Sequence, residues 1–495
     1  MNMREKAVKG VVWSAIQSWG SQAGNLLVFF ILVRLLSPEA FGLVALASIF
    51  LSFMQVFLNQ GFAQVLIQRQ ALEPEHINAA FWTNFLIGLL LTVAGFTTAA
   101  LIAEGFQQPQ LAPILQGFSL LFLITSFGNV QQALLERKLD FKAIAIRGLA
   151  GMLVGGAVGV IMALYQFGVW SLVGQQFGQE VVGALMLWKF SDWRPQLKFS
   201  FEHFQHLFSF GISLLGFNLL NFFSTKADDF LIGYFLGPVA LGYYSIAYRV
   251  LGIMTQLLIN TGQQVALPTL SRLQEEPEQF RKAFYTATQL TSLVAFPAFL
   301  GVATLAPELV VVLFGTQWML SVPVMQVLSF AGLFKAATFL KGSVFFAMGK
   351  PAWTLWLGLL NTVLNLAGFI VAVRWGIVAV ASAYVIRGYL VFPITQWALS
   401  RVAKISTTLY LRQFTVPLSA SIVMAIAILS AKGLLQGWVN LPILLAISIG
   451  LGAIVYGSTI RLLSPHLFQT MLELMISVRA SSKYAQQTCQ KKRHC

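Results

Sequence analysis

About fourteen runs of apolar residues follow one another along this chain, each close to the roughly 20 residues a helix needs to cross the hydrocarbon of a bilayer. They fall at 11–33, 41–63, 80–103, 112–135, 147–166, 169–188, 209–235, 240–262, 285–306, 322–346, 353–373, 377–397, 414–431 and 441–461. Hydrocarbon cannot hydrogen-bond to the backbone, so only helices or a closed barrel can span it. Barrel strands alternate over roughly ten residues, and these long continuous runs exclude them. Composition agrees, with 57% hydrophobic and 10% charged residues and a mean hydropathy of +0.75. A soluble fold of 495 residues could not cover that much apolar surface. The expected fold is an all-α polytopic membrane protein, uninterrupted by any long soluble insertion.

A formal net charge of +15 raises the possibility of nucleic acid, but the placement of the cations explains it better. Arg4, Lys6 and Lys9 precede span one. Arg137, Lys138 and Lys142 follow span four, Lys189, Arg194 and Lys198 follow span six, and Arg272, Arg281 and Lys282 follow span eight. Lys350 follows span ten, Arg401, Lys404 and Arg412 follow span twelve, and Arg479, Lys483, Lys491, Lys492 and Arg493 lie in the tail. The opposite side has only Arg34, Arg374 and Lys432. The positive-inside rule then puts both termini in the cytoplasm.

Several chemistries lack their residues. Span one is too long and polar for a signal peptide and reads as a retained helix. Cys489 and Cys495 both lie in the basic tail and supply neither a disulfide framework nor a metal site. The tail from about Ala480 lacks apolar periodicity and is expected to be disordered, its cations near the anionic leaflet. Gly349-Lys350-Pro351 is no phosphate-cradling loop, so ATP does not drive this protein directly. His203 and His206 beside Glu202 have no further ligand nearby and read as an amphipathic surface segment. No metal or cofactor is called for, and GxxxG-like spacings mark close helix packing.

The chain also repeats itself at a shift of 200 positions: Leu36, Pro38, Ala40 and Gly42 recur as Leu236, Pro238, Ala240 and Gly242. Leu58, Gln64 and Val65 recur as Leu258, Gln264 and Val265, and Ser18, Ser21 and Asn25 align with Asn218, Asn221 and Thr225. Internal repeats with polar positions inside the membrane mark secondary transporters, in which two lobes rock about a shared site.

Polar residues within spans are the informative ones, because an unsatisfied charge there is costly. Asn218, Asn221, Thr225 and Asp228 or Asp229 recur every three to four positions and stack on one helix face. Lys226 is placed to neutralise one aspartate. Arg249, Lys335, Lys341 and Arg387 lie within spans, and Glu180 is the clearest acid of the first half. Fixed cations, above all guanidinium groups, suit an anionic cargo such as a phosphate, with Arg387 and Arg249 the first choices. Lys335 and Lys341 lie six positions apart, roughly 120° around a continuous helix, so they should not converge on one ligand. For each cation an ion pair or an interfacial position is the structural alternative.

Gly10-Val-Val-Trp-Ser, then Arg34-Leu-Leu-Ser-Pro-Glu-Ala-Phe-Gly42, Glu136-Arg-Lys-Leu-Asp-Phe141 and the block Ala227–Ala247 resemble the polysaccharide transporter family. More closely they resemble its Wzx-type, colanic-acid-exporter-like flippases in the multidrug/oligosaccharidyl-lipid/polysaccharide superfamily. The resemblance spans nearly the whole chain. It implies two pseudo-symmetric six-helix lobes, 1–198 and 199–404, around a central cavity, with two further spans in 405–465 and a basic tail at 466–495. It also implies an undecaprenyl-diphosphate-linked oligosaccharide cargo, flipped from the cytoplasmic to the periplasmic leaflet for exopolysaccharide or lipopolysaccharide synthesis. A polysaccharide polymerase and a chain-length regulator would be its partners.

The residues support that cargo independently, since cations with Asn and Gln offer hydrogen bonds to both diphosphate and sugar. Arg249, Arg387, Lys335, Lys341, Asn25, Asn218, Asn221 and Thr225 are the candidate binding residues. Glu180, Asp228 and Asp229 are candidates for ion coupling, because a carboxylate in a low-dielectric cavity can exchange protons. A multidrug cation antiporter of the same superfamily remains open, although cavity cations count against it, and a lipid II flippase is not separated by the residues. A membrane polymerase or sugar transferase needs a sizeable outward loop, and the loops at 104–111 and 432–440 are short, so a transporter rather than an enzyme is expected.

Overall fold

A computed structural model describes residues 3–58, 62–68, 73–197, 201–435 and 437–469, with side chains omitted at 3–9, 11, 62–64, 201–215, 217, 260–262 and 264–265. The tail beyond Ala480, the His203/His206 pair and the recurrences at Gln64, Gln264 and Val265 lie outside that description. Every regular element among the described residues is helical. In the first half these are α1 (Met3–Leu35), α2 (Pro38–Leu58), α3 (Phe62–Gln68), α4 (Pro74–Gly105), α5 (Leu111–Arg137), α6 (Phe141–Leu164), α7 (Trp170–Phe190) and α8 (Phe201–Thr255). After these come α9 (Thr261–Arg272), α10 (Pro277–Leu313), α11 (Val322–Thr338), α12 (Lys341–Ala347), α13 (Pro351–Ala372), α14 (Ile377–Ala403), α15 (Thr407–Leu435) and α16 (Leu441–Leu463).

Among the described residues 12 helical stretches are long and apolar enough to cross a membrane. The difference from fourteen has two physical sources. The stretch Asn218–Ile259 counts once but has 42 residues, enough for two crossings at 1.5 Å per residue. It bends at Gly237 (φ 83, ψ 176) just before Pro238, so the predicted spans at 209–235 and 240–262 are the two arms of α8. A left-handed φ favours glycine, and Pro238 removes a helical N–H and clashes with the preceding turn. The second source is α7, 21 residues long but with Gln175, Gln176, Gln179 and Glu180 in its middle. The fourteen predicted segments fall on helix through most of their described length, with 322–346 interrupted at Phe339 and Leu340 and 147–166 and 169–188 running one or two residues into turns.

The chain divides into two compact units. One comprises Met1–Ile246, Leu313–Ser321 and Leu359–Ala383, and the other Ala247–Val312, Val322–Gly358 and Tyr384–Cys495.

In the first unit α1 packs on α6, α4 on α5 and α6 on α7. The α6–α7 approach follows the small-residue rule: Cβ atoms at Gly151, Gly155 or Gly159 would press into the α7 backbone between Ser171 and Gln179. The sequence repeat proves to be a structural one. Pro38 opens α2 after the Leu36–Ser37 break, and Pro238 opens the second arm of α8 after Gly237. The two copies then pack against each other reciprocally. A Cβ on Gly42 would collide with the Pro238 carbonyl oxygen, and one on Gly242 with the Pro38 carbonyl oxygen.

Trp318, fully buried, seals the same region, with the rings of Phe41 and Tyr243 edge-on at 5.5 and 5.9 Å. Its indole N–H donates to the Val33 carbonyl at 2.8 Å, and Gln317 Nε2 donates to Val33 O at 3.1 Å and Leu36 O at 3.2 Å. These side chains satisfy carbonyls that the end of α1 leaves without helical partners. Arg34 is tied there too, donating to Leu313 O at 3.2 Å.

In the second unit α15 and α16 pack together and share a core with α10 through Leu293, Leu305, Met424, Ile428 and Tyr456. Two polar ties reinforce it. Tyr456 donates to Leu293 O at 2.6 Å. Lys432 lies 2.8 Å from Glu308 Oε1 and donates to Thr304 O at 2.9 Å. Arg34 and Lys432, two of the three cations on the sparse side of the charge count, thus serve helix-to-helix bonds.

Candidate functional site

The predicted cations of the second unit gather around a pair of tyrosines. Tyr384 and Arg387 are one turn apart on α14, and the guanidinium carbon of Arg387 lies 4.9 Å from the Tyr384 ring centre. Lys335, near the end of α11, places its ammonium 5.7 Å from the Tyr248 ring and 5.8 Å from the Tyr384 ring. The two rings are themselves 6.1 Å apart at 67°. Tyr248 comes from the end of α8, so three helices build the cluster. All four side chains are half-buried, where a cation over an aromatic face gains about 0.5–2 kcal/mol. From 309 to 472 the sequence has no Asp or Glu, so the charge that α11, α12 and α14 bring here is wholly cationic.

Lys341 lies beyond a helix break that the sequence pattern does not show. The 120° separation from Lys335 assumes a continuous helix, but α11 ends at Thr338 and α12 begins at Lys341. The break at Phe339 and Leu340 interrupts the helix along which that separation is counted. Lys341 is half-buried and close enough to Arg387 for their like charges to interact. Arg387 thus neighbours Lys335 across the Tyr384 ring and interacts with the charge of Lys341. Arg249 is exposed and sits one position after Tyr248, about 100° further around α8.

The remaining candidates are in the first unit. Asn25 is half-buried on α1, and Asn218 is half-buried on α8, with Asn221 and Thr225 exposed. Thr225 spends its hydroxyl within the helix, donating to Asn221 O at 2.8 Å. The three acids each have a partner. Lys226 binds Asp229 at 3.0 Å, as the sequence alternative anticipates. Asp228, buried, accepts from the Tyr244 hydroxyl at 2.8 Å. Glu180 on α7 faces Arg147 of α6 at 3.8 Å. Arg147 in turn donates to Gln132 Oε1 at 3.1 Å, and Gln132 to Glu136 at 3.0 Å. Beside Glu180 and Arg147 is a cavity of about 10 Å³, room for about one water.

Sequence reasoning missed Tyr248, Tyr384 and Arg147. Tyr384 carried a usable signal, an aromatic three positions before an intramembrane arginine. Tyr248 and Arg147 carried none, since their partners come from other helices.

The sequence matches the family described as "Polysaccharide biosynthesis protein" over residues 31–323, more than half the chain. The chain belongs to that family. Among its relatives, the succinoglycan biosynthesis transport protein ExoT of Rhizobium meliloti (strain 1021) is 30% identical over 360 residues, 72% of each chain. The lipopolysaccharide biosynthesis protein WzxC of Escherichia coli (strain K12) is 26% identical over 353 residues, 71% of this chain and 72% of that one. In fold the protein is similar to the lipid II flippase MurJ in its inward closed conformation. The TM-score is 0.73 at 15% identity, covering 92% of this chain and 99% of that one. Family membership makes this a multi-pass membrane transporter of the Wzx-like flippase type in polysaccharide biosynthesis, and not an enzyme.

Proposed function

We propose that this transporter moves undecaprenyl-diphosphate-linked oligosaccharide repeat units from the cytoplasmic to the periplasmic leaflet of a bacterial inner membrane. The observation that carries the reading is the Arg387–Lys335 pair held against Tyr384 and Tyr248. A diphosphate cannot enter hydrocarbon unaided, and a guanidinium with a neighbouring ammonium offers it charge and forked hydrogen bonds. Tyrosines beside those cations present hydroxyls and ring faces to a sugar. Lys341, Arg249, Asn25, Asn218, Asn221 and Thr225 complete the binding set in this reading, while the polyprenyl chain stays in the bilayer. Transport proceeds by alternating access of the lobes 1–198 and 199–404, with both termini cytoplasmic.

Ion coupling falls to Glu180, Asp228 or Asp229, each of which must leave its present partner to exchange a cation. Glu180 has the longest of these contacts, 3.8 Å to Arg147, and is the first candidate. A polymerase and a chain-length regulator receive the flipped product.

The test is mass spectrometry of lipid-linked saccharides in a strain lacking the protein, with surface polysaccharide measured alongside. Complete undecaprenyl-diphosphate repeat units should accumulate on the cytoplasmic leaflet while polymer disappears. Unchanged intermediates and polymer, with altered sensitivity to cationic drugs, would overturn the reading in favour of a cation antiporter.

A further inference from the structure

A second anion-binding geometry lies away from the tyrosine cluster, where the first turns of α10 meet the start of α15. A basin of about 360 Å³ is lined by Glu278, Arg281, Lys282, Tyr285, Thr286 and Gln413. Its wall is fixed by the loop ahead of α15. The Tyr285 hydroxyl accepts from Ser406 N at 2.9 Å and donates to Ser406 O at 3.4 Å. Gln413 Nε2 donates to Leu409 O at 2.9 Å, which leaves its carbonyl oxygen and the Thr286 hydroxyl at the basin.

Neither Arg281 nor Lys282 has an ion-pair partner among the described residues. Glu278 occupies the first turn of α10, where its charge complements the helix N-terminus. The basin thus carries two cations against one acid, with Arg412 next to Gln413 in sequence. Charge placement alone would make these residues topology determinants, but the structure sets Arg281 and Lys282 beside Thr286 and Gln413 along one basin.

The depth of the site selects the ligand. α10 has 37 residues, about 55 Å at 1.5 Å per residue, against about 30 Å of hydrocarbon. Its apolar run begins near residue 285 and that of α15 near 414, so the basin sits at the hydrocarbon edge, where headgroup phosphates lie. A tyrosine at that level is the usual interfacial anchor. We propose that Arg281, Lys282 and Thr286 bind the phosphate of an anionic phospholipid headgroup, separately from the transported cargo, with Gln413 lining the basin beside them. Arg281 and Lys282 supply the charge and Thr286 a hydroxyl donor. Basic pockets between transmembrane helices take anionic headgroups by this chemistry.

The test is native mass spectrometry of the purified full-length protein in neutral detergent, titrated with phosphatidylglycerol or phosphatidylcholine. Wild type should retain phosphatidylglycerol preferentially. An Arg281→Gln/Lys282→Gln double variant should bind it about thirty-fold more weakly, and Lys282→Gln alone about five-fold. Arg461→Gln, a cation elsewhere on α16, should change nothing. Lys282 is exposed, so its variant reports even if the double variant does not fold. Equal binding of both lipids by wild type would overturn the proposal, as would equal phosphatidylglycerol binding by wild type and Lys282→Gln. Displacement of phosphatidylglycerol by millimolar inorganic phosphate would reassign the basin to a soluble phosphate, whereas retention supports the lipid.

Discussion

Substituting alanine at Gly42 or Gly242 perturbs the crossing where the two copies of the Pro-x-Ala-x-Gly motif meet backbone to backbone. At both positions the obstructing atom is a backbone carbonyl oxygen, Pro238 O for Gly42 and Pro38 O for Gly242. A side chain can rotate away from a new methyl group, but a carbonyl fixed in a helix start cannot, so the helices must separate. Overpacking of this kind costs about 1–3 kcal/mol, and separation also loosens Phe41 and Tyr243 against Trp318. Alanine recovers up to about 1 kcal/mol of helix propensity. The net expectation is about 2 kcal/mol lost for each single variant.

Both methyl groups open the same crossing, so the second should cost little once the first has separated the helices. The double variant should lose about 2 kcal/mol rather than about 4, a coupling of about 2 kcal/mol. Reversible unfolding in mixed detergent micelles, followed by tryptophan fluorescence, measures this cycle. Gly252→Ala, where a Cβ would meet nothing within 4 Å, is the control and should be neutral or slightly stabilising. Wild-type stability of both single variants, or additive losses in the double, would refute the reciprocal crossing.

Other expectations follow from the same geometry. Tyr384→Phe keeps the aromatic face under Arg387 and should preserve most polymer export, whereas Tyr384→Ala should reduce it with protein level unchanged. Arg387→Ala should sharply reduce export and Arg387→Lys should retain more of it, as bidentate geometry is lost but charge is kept. Normal export by Arg387→Ala at normal protein level removes that residue from the site. Lys432→Met strands the carboxylate of Glu308 inside the helix bundle and should cost about 3 kcal/mol or more, most of it recovered by adding Glu308→Leu. Thermal unfolding of these two variants against wild type checks this. Glu180→Gln should blunt the response of transport to an imposed proton gradient, and full-rate transport under every gradient would eliminate Glu180 from coupling.

The helices were legible because each is a local pattern: an apolar run tells its own length whatever packs on it. The repeat was legible too, down to Pro38 and Pro238 as helix starts, because a turn of fixed geometry constrains residues near in sequence. What packs against that turn was not, for Trp318 lies nearly 300 positions from Val33 and no periodicity links them. Among site residues, Lys335, Lys341 and Arg387 were visible as intramembrane charge. The meeting of Lys335 and Arg387 at Tyr384 was hidden because they come from different helices, and the break at Phe339 and Leu340 carries no glycine or proline to mark it. The aspartates show the reverse case. Lys226 and Asp229 are three apart on one helix, so their pairing could be anticipated, whereas Tyr244 reaches Asp228 only because Gly237 folds α8 back on itself.

The proposed carriage of a lipid-linked diphosphate saccharide across the bilayer rests on the cationic tyrosine cluster. It is tested most directly in vesicles containing the purified protein and an undecaprenyl-diphosphate-linked oligosaccharide, with lectin accessibility reporting transbilayer movement. The account predicts movement well above protein-free vesicles for wild type, and loss of most of it for a correctly folded Arg387→Ala/Lys335→Ala variant. Movement unchanged in that variant, or none in wild type under any imposed ion gradient, would contradict it.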